Sequence, residues 1–414
     1  MVLGQSPSSS FLLAGLRLNE GGGNLENFAY FSDEEWGDAL RQVVQHDIAP
    51  LLYHRLNTQH FAGVVPDPVL RMLRAITLRV AAENLRLYYD LAQILAAFQK
   101  RHMPILVLKG AYLAEIVYGN RALRSMGDVD LLFKKSDLAK AEGVLRELGY
   151  SGPRHPSEEV DLRHARSLVK NNGLKVDLHW AIERPTAPFS IDIEGLWKRA
   201  QPVTIAGAEV LALSPEDLLL HLCLHASFDH QFYYGLRALC DITETIRYHQ
   251  SHLDWALVQA RTREWGISKS VYLSLALTKE YTGALVSDEV IESLKPARFF
   301  PQVLLWAKDE LFAAPHSDAA LPVGLTQVWT HEGIRAKALL FWRRACPSVK
   351  DMAELYALSP TSTWVYLYYP LRWKDLLFQY GRPAWRLFRR DETVIGLAER
   401  KDQQLALKNW LASV

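Results

Sequence analysis

The chain has 414 residues, of which 49% are hydrophobic and 22% charged, as is typical of a soluble globular protein. Its 47 Lys and Arg side chains nearly balance its 46 Asp and Glu side chains, so the net charge is +1 and nucleic acid is disfavoured as a partner. The length exceeds that of one hydrophobic core and predicts several domains.

Apolar residues recur every three or four positions in the first hundred residues. The two clearest stretches are 33–56 and 66–100. This spacing places the apolar side chains on one face of a helix. We therefore predict an N-terminal helical region over residues 1–100.

Two strands are predicted next. The sequence MPILVLKG (103–110) is a compact apolar run that ends at a glycine, a pattern typical of a buried strand. After a short helical stretch, RSMGDVDLLF (124–133) predicts a second strand that carries two aspartates.

A helix and a hairpin complete this region. The segment 135–150 begins with Ser136, a favourable helix cap, and reaches Gly149, a helix stop signal. Two alternating segments within 166–182 surround the sequence Asn-Asn-Gly, which tolerates the backbone of a tight turn. We predict that residues 101–205 form an α/β module.

Helical periodicity resumes at LSPEDLLLHLCLH (213–225), where Ser214 can cap the helix and Pro215 suits its first turn. The remaining sequence has the same periodicity as far as the C-terminus. We predict a helical substrate or cap region over 206–300 and a C-terminal helical region over 301–414.

The cysteines and the N-terminal sequence predict a cytoplasmic location. Cys223, Cys240 and Cys346 are widely spaced and odd in number, which fits neither a disulfide framework nor a metal site. The first residues lack the basic stretch of a signal peptide. No apolar run is long enough to cross a membrane.

The paired aspartates of the second strand carry the strongest chemical signal. Asp128 and Asp130 lie two residues apart and so point to the same side of a strand. Two adjacent carboxylates repel, and burying them is costly unless a cation compensates. Mg²⁺ suits such a pair. Alone, the D-x-D pattern is weak evidence, and a solvated strand end is the alternative.

Three neighbouring features strengthen the metal interpretation. Lys109 and Gly110 end the first strand, where bare backbone could approach a phosphate. Asp177 is a third acid within an apolar strand, and Arg124 is a cation close to the pair.

These features belong to a wider resemblance to a known family. It is carried by segments 49–56, 107–133, 145–150, 176–180, 218–225 and 236–241. On these residues the chain resembles the nucleotidyltransferase superfamily that includes DNA polymerase β and the aminoglycoside nucleotidyltransferases. More closely, it resembles an uncharacterised bacterial nucleotidyltransferase family. The resemblance implies an α+β fold, with a small mixed β-sheet nucleotidyltransferase core embedded in a mainly α-helical protein.

The resemblance also implies a reaction. A nucleoside monophosphate would move from a nucleoside triphosphate such as ATP to an unknown hydroxyl acceptor, either a small molecule or a protein. Two Mg²⁺ ions would be held by Asp128, Asp130 and Asp177, which would be the catalytic residues. The residues expected to bind the nucleotide are Lys109, Gly110, Arg124 and His179.

One departure from the family pattern leaves two alternatives. Members commonly have Gly-Gly or Gly-Ser after the first strand, whereas this chain has Lys109, Gly110 and Ala111. The serine contact to phosphate is therefore missing. The chain is either an enzyme in which Lys109 serves as the phosphate cation, or a catalytically inactive nucleotide- or partner-binding module with the same fold.

Other polar residues allow a structural or a functional interpretation. His221, His225 and His230 could be packed histidines, zinc ligands or residues that line a substrate cleft. Arg237 and Asp241 lie four residues apart on a helix, which favours an intrahelical ion pair over closure upon the nucleotide.

Two further stretches favour structural interpretations. Asp192 and Glu194 form a second acid-x-acid pair, but they precede a predicted helix, so capping explains them better. The segment 366–390 mixes aromatic residues with arginines. It is best explained as a core helix with snorkelling cations, and a membrane-surface or partner-docking helix is the alternative.

Overall fold

A computed structural model of the protein describes residues 6–17, 25–58, 64–152, 165–170, 174–313, 347–349, 351–352, 363–374 and 392–413. The chain divides into two compact units, of which one comprises residues 1–313 with 411–414 and the other residues 314–410. The first unit contains the predicted helical N-terminal region, a mixed sheet and a further helical layer.

The N-terminal helices confirm the apolar periodicity. They are α1 (Pro7–Leu16), α2 (Asp33–Gln45), α3 (Ala49–Thr58) and α4 (Asp67–Gln99). Helix α2 begins in a capping box, in which Ser32 and Glu35 each bond the other's backbone. It ends before Asp47, whose positive φ of 54° interrupts the helical path.

One six-stranded mixed sheet forms the centre of the first unit. Its strands are β1 (Leu106–Val107), β2 (Asp128–Leu132), β3 (Ala165–Val169), β4 (Lys175–His179), β5 (Gln201–Ile205) and β6 (Ala208–Ala212). Their order across the sheet is β3-β4-β2-β1-β6-β5. The β2–β4 and β1–β6 pairs are parallel, and the others are antiparallel.

The sheet confirms the α+β fold and extends it. The β3–β4 hairpin is present, while the Asn-Asn-Gly turn at 171–173 lies outside the described residues. The strands β5 and β6 are additional to those predicted, and β6 lies wholly beyond residue 205, the predicted end of the α/β module. The predicted Ser136 cap is wrong. A 3-10 turn spans Lys135–Asp137, and helix α6 (Leu138–Glu147) begins after it without a side-chain cap.

The two faces of the sheet differ in polarity, as the alternation of a strand requires. Val129, Leu131, Val176 and Leu178 are fully buried on one face, and α6 packs against β4. The opposite face of β2 and β4 carries charged and polar side chains. These are Asp128, Asp130, Lys175, Asp177 and His179.

Helices form most of the rest of the described chain. They are α5 (Lys109–Tyr112), α7 (Ile193–Arg199), α8 (Pro215–Leu224), α9 (Leu236–His249), α10 (Trp255–Trp265), α11 (Ser268–Thr282), α12 (Asp288–Leu294), α13 (Pro301–Phe312) and α14 (Glu392–Ala412). Helix α8 has the predicted cap, because the Ser214 hydroxyl accepts a 3.3 Å hydrogen bond from the Asp217 amide. None of the helices described here is both long and apolar enough to span a membrane.

Two predicted features lie partly or wholly outside the described residues. Of the aromatic and arginine-rich segment 366–390, the structure describes residues 366–374, and the remainder lies outside the described residues. Cys346 also lies outside them. The division of the chain into four regions remains a prediction.

A buried ion pair joins α3 to α9. The Arg55 guanidinium donates to Glu244, and both side chains are almost completely buried. Arg247, at the helix surface, also contacts Glu244. Removing one partner of a buried pair leaves the other charge without compensation in a medium of low polarity.

We predict that Glu244→Gln lowers the free energy of unfolding by about 3–5 kcal/mol, as measured by urea denaturation. Asp288→Asn is the control, because Asp288 pairs with Lys279 at the surface and its side chain is 93% exposed. Its effect should be far smaller. Equal effects of the two substitutions would contradict a structural role for the buried pair.

Candidate active site

The polar face of β2 and β4 brings the predicted acids together. The two strands run parallel, with Asp130 in register with Asp177 and Asp128 in register with Lys175. Neighbouring strands lie about 4.8 Å apart, so side chains on the same face of these positions adjoin. The D-x-D pair and the third acid thus form one cluster, although they are far apart in the sequence.

His179 lies within this cluster. Its Nε2 is 2.8 Å from Oδ1 of Asp130. Asp130, Asp177 and His179 each offer one ligand atom, and these atoms all lie within 4.8 Å of one another. The sequence interpretation assigned His179 to nucleotide binding, whereas the geometry also makes it a candidate metal ligand. His179 lies two residues after Asp177, so the sequence already places both side chains on the same face of a strand.

Two lysines partly neutralise the acids. Lys175 Nζ lies 2.8 Å from Oδ2 of Asp177 and 3.4 Å from Oδ2 of Asp128. Lys109 Nζ lies 3.7 Å from Oδ2 of Asp130. The sequence interpretation missed Lys175, which shares a strand face with Asp177. The three carboxylates still outnumber the two ammonium groups by one.

These charges shift the pKa values of the paired aspartates in opposite directions. Burial would raise the pKa of Asp130, but the Lys109 charge and the hydrogen bond with His179 prevail and hold that pKa well below its ordinary value. Burial and the carboxylates of Asp130 and Asp177 raise the pKa of Asp128, against the opposing charges of Lys175 and Lys109.

A divalent cation fits this donor set. Oδ1 of Asp177 is buried and accepts no hydrogen bond from the residues that the structure describes. A buried carboxylate oxygen without a partner is costly, and a cation ligand bond would satisfy it. Carboxylate oxygens are the preferred protein ligands of Mg²⁺, and imidazole additionally suits transition metals. The residues present therefore fit a metal site.

Gly110 and Arg124 contact each other at the edge of the site. Gly110 follows β1 in helix α5, and a Cβ atom placed there would be 3.5 Å from the Arg124 guanidinium. The Arg124 side chain is 9% exposed and donates two 2.8 Å hydrogen bonds to Asp241. Contacts of Gly110 and Arg124 with a nucleotide remain predictions.

The predicted ion pair between Arg237 and Asp241 is wrong. Arg237 lies in the first turn of α9 and pairs instead with Asp47, at the end of α2. Asp241 faces the segment before β2, where it binds Arg124. It also accepts a 2.9 Å hydrogen bond from the Tyr118 hydroxyl. Long-range partners thus replace the local one.

The segment that leads into β2 is held from two sides. On one side is the pairing of Arg124 with Asp241. On the other, the Asn84 amide of α4 donates to the Arg124 carbonyl at 2.8 Å and to the Arg121 carbonyl. We infer that these contacts fix the entry of the D-x-D strand.

The histidines of the helical layer pack against one another. A π-helical turn, His225–Asp229, extends α8. The ring centroids of His225 and His230 are 4.5 Å apart, and those of His221 and His225 are 6.4 Å apart. Within the described chain these histidines join no group with metal-site spacing, so packing is favoured over zinc.

Asp192 accepts a 2.8 Å hydrogen bond from the Gly195 amide, which confirms its predicted capping role.

Both histidines next to Lys109 favour the neutral form. Burial, followed by the Lys109 charge, lowers the pKa of His225 well below its ordinary value. The same two causes, with Arg237 and Arg184, lower the pKa of His230 to about 4. At pH 7 both imidazoles are therefore neutral.

Replacing Lys109 provides a test of this electrostatic arrangement. Lys109→Met removes a cation that opposes protonation of His230, so we predict that the pKa of His230 rises from about 4 towards 6.5. Lys175→Met is the control, because that charge lies at Asp128 and Asp177. Histidine ring NMR titration measures both pKa values. An unchanged pKa in Lys109→Met would contradict the arrangement.

Comparison with known proteins agrees with the geometry. A family model described as uncharacterised nucleotidyltransferase matches residues 32–283, which contain all the site residues described above. No curated protein matches the chain significantly.

Two solved structures of ANT(2″)-Ia are similar over part of the chain. The crystal structure in complex with adenylyl-2″-tobramycin has 17% identity, covers 42% of this chain and 97% of its own, and gives a TM-score of 0.32. The solution structure has 16% identity, covers 49% of this chain and 96% of its own, and gives 0.31. From the family match, the chain belongs to the uncharacterised nucleotidyltransferase family.

Proposed function

We propose that the protein is a Mg²⁺-dependent nucleotidyltransferase. It moves a nucleoside monophosphate from a nucleoside triphosphate such as ATP to a hydroxyl group of a small molecule or a protein. One observation carries the proposal: Asp130 and Asp177 are in register on parallel strands, with His179 hydrogen-bonded to Asp130. Family membership supports nucleotidyl transfer in general.

The three acids would bind two metal ions between them. Asp130 and Asp177, with His179, would hold one divalent ion, and Asp128 with Asp130 would hold a second one. When bound, Mg²⁺ neutralises phosphate charge and stabilises the entering and leaving oxygens. Asp128 suits a site shared with substrate, because its side chain is 41% exposed while that of Asp130 is buried.

The reaction is a displacement at the α-phosphorus. The acceptor oxygen forms a new bond to phosphorus, the bond to the pyrophosphate oxygen breaks, and the hydroxyl proton passes to a carboxylate of the acid cluster, for which Asp177 is our candidate. Lys109, beside Asp130, is suited to bind the phosphate chain as a cation. Its ammonium group would take the place of the family's serine contact.

A second candidate is a nucleotide- or partner-binding module without catalysis. The observation that favours it is the pairing of all three acids with Lys109 and Lys175, which reduces the need for a metal. The two candidates differ in pyrophosphate release. Mg²⁺-dependent nucleotide binding without release, in the presence of acceptors, would favour the module.

We also propose a cytoplasmic location, a bacterial origin and a place in the DNA polymerase β-like nucleotidyltransferase superfamily. Cys223 and Cys240 are free and buried, which suits a reducing compartment. The three-acid arrangement on neighbouring strands supports the superfamily.

The test of the proposed function uses the full chain with Mg²⁺, the four nucleoside triphosphates and a metabolite extract or lysate proteins. Mass spectrometry detects the nucleotidylated product, and a coupled assay detects pyrophosphate. We predict that Asp128→Asn, Asp130→Asn and Asp177→Asn each reduce product by roughly 100-fold or more, because each removes charge that is needed in the transition state.

Asp192→Asn is the matched control. Asp192 belongs to the second acid-x-acid pair, but it caps α7 and contacts Arg199. Asparagine also caps helices well, so both product formation and stability should persist. If Asp128→Asn and Asp177→Asn each retained full transfer activity, the metal assignment would be refuted.

A further inference from the structure

Three rings of the segment that follows α8 pack against one another. The centroids of His225 and His230 are 4.5 Å apart, and those of His230 and Tyr234 are 4.2 Å apart. His225 and Tyr234 are stacked, with centroids 6.0 Å apart and ring planes 20° from parallel. We call these three residues the ring ladder.

His225 of the ring ladder interacts electrostatically with the acid cluster. Lys109 Nζ is 3.7 Å from Asp130, and both Lys109 and Asp130 act electrostatically on His225. Tyr234, in contact with both histidines, is 40% exposed. The ring ladder therefore combines a ring that interacts with Asp130 and a ring that solvent can reach.

The backbone holds Tyr234 in place through an uncommon path. Gln231 and Phe232 have positive φ values of 42° and 64°, which non-glycine residues rarely adopt. Phe232 is completely buried and its amide donates a 2.7 Å hydrogen bond to the Ala226 carbonyl. At Gly235, a Cβ atom would lie only 2.2 Å from Nδ1 of His46. The loop is thus fixed on both sides of the tyrosine.

Three cations act on the ring ladder. Lys109, Arg237 and Arg184 all lower the pKa of His230, which shows that each acts on this ring. The Arg237 guanidinium carbon lies 5.3 Å from the centroid of Tyr234. A partly exposed aromatic ring near cations suits a ligand that combines a planar ring with negative charge. A nucleotide has both properties.

We propose that the partly exposed ring of Tyr234 stacks on the base of the donor nucleotide, with the phosphates directed towards Lys109 and Asp130. His230 and His225 pack against the tyrosine. The inference deepens the proposed function and rests on it, because it assigns the base to one surface of the same site. Stacking accepts every base, so little preference among the four nucleotides is expected.

The experiment compares two ligands that share phosphates but differ in the base. Isothermal titration measures Mg²⁺-ATP and Mg²⁺-tripolyphosphate binding to the full chain, to Tyr234→Ala and to Tyr234→Phe. We expect Tyr234→Ala to weaken ATP binding roughly 5- to 100-fold and to leave tripolyphosphate binding unchanged. Tyr234→Phe keeps the ring and should bind both ligands as the unaltered protein does.

Tyr248→Ala is the matched control. Tyr248 is 50% exposed and contacts His249 edge-to-face, with centroids 4.7 Å apart, outside the ring ladder. It should bind both ligands normally, and thermal unfolding should show that both alanine variants fold.

The outcomes separate the inference from the proposed function. If Tyr234→Ala binds ATP normally, base stacking is refuted while the metal and phosphate site stands. Equal loss of both ligands in Tyr234→Ala would also refute stacking, because the defect would then lie in phosphate binding. If the unaltered protein binds neither ligand with Mg²⁺, the proposed function fails and the inference fails with it.

Discussion

The parallel register of β2 and β4 is the constraint on which the site depends. It places Asp130 beside Asp177, where two carboxylates repel unless positive charge lies between or around them. A slip of one residue would turn these acids into the apolar face and expose Val129 and Val176. Burial of the hydrophobic face therefore fixes the register and holds the acids close together, although their mutual repulsion is unfavourable.

The surrounding structure compensates that charge and orients the strand. Lys175 and Lys109 contact the acids directly. Arg124 and Asp241 form a buried pair that joins the approach to β2 with α9. Removing either member would leave an unpaired buried charge, so this region has little freedom to move. Rigid placement of binding groups is what an electrostatically driven transfer requires.

Local sequence patterns predicted much of the fold, but they did not predict contacts between residues far apart in the sequence. The helices at 33–45 and 215–224 and the D-x-D strand follow from periodicity and capping residues within one short window. The β5–β6 hairpin was missed because its turn uses Ala206 and Gly207 at positive φ in place of the usual Asn-Gly signal. A tertiary contact permits that choice, since the Ala206 amide donates to Glu115.

The sequence predicted the acids of the candidate site but only some of its cations. Asp128, Asp130 and Asp177 stand out as charges in apolar strands. The partner of Arg124 lies 117 residues away and that of Arg237 lies 190 residues away, so neither follows from helical spacing. The same limit applies to the ring ladder, because its stacking depends on the π-helical turn and the positive-φ path that follows.

The most direct measurement is anomalous X-ray scattering from Mn²⁺ soaked into crystals of the full chain with a non-hydrolysable nucleoside triphosphate. The account predicts an anomalous peak within coordination distance of Asp130, Asp177 and His179. A map with ordered side chains and no peak at these three residues would contradict it. In that case Lys109 and Lys175 would be the permanent counter-charges of the acids.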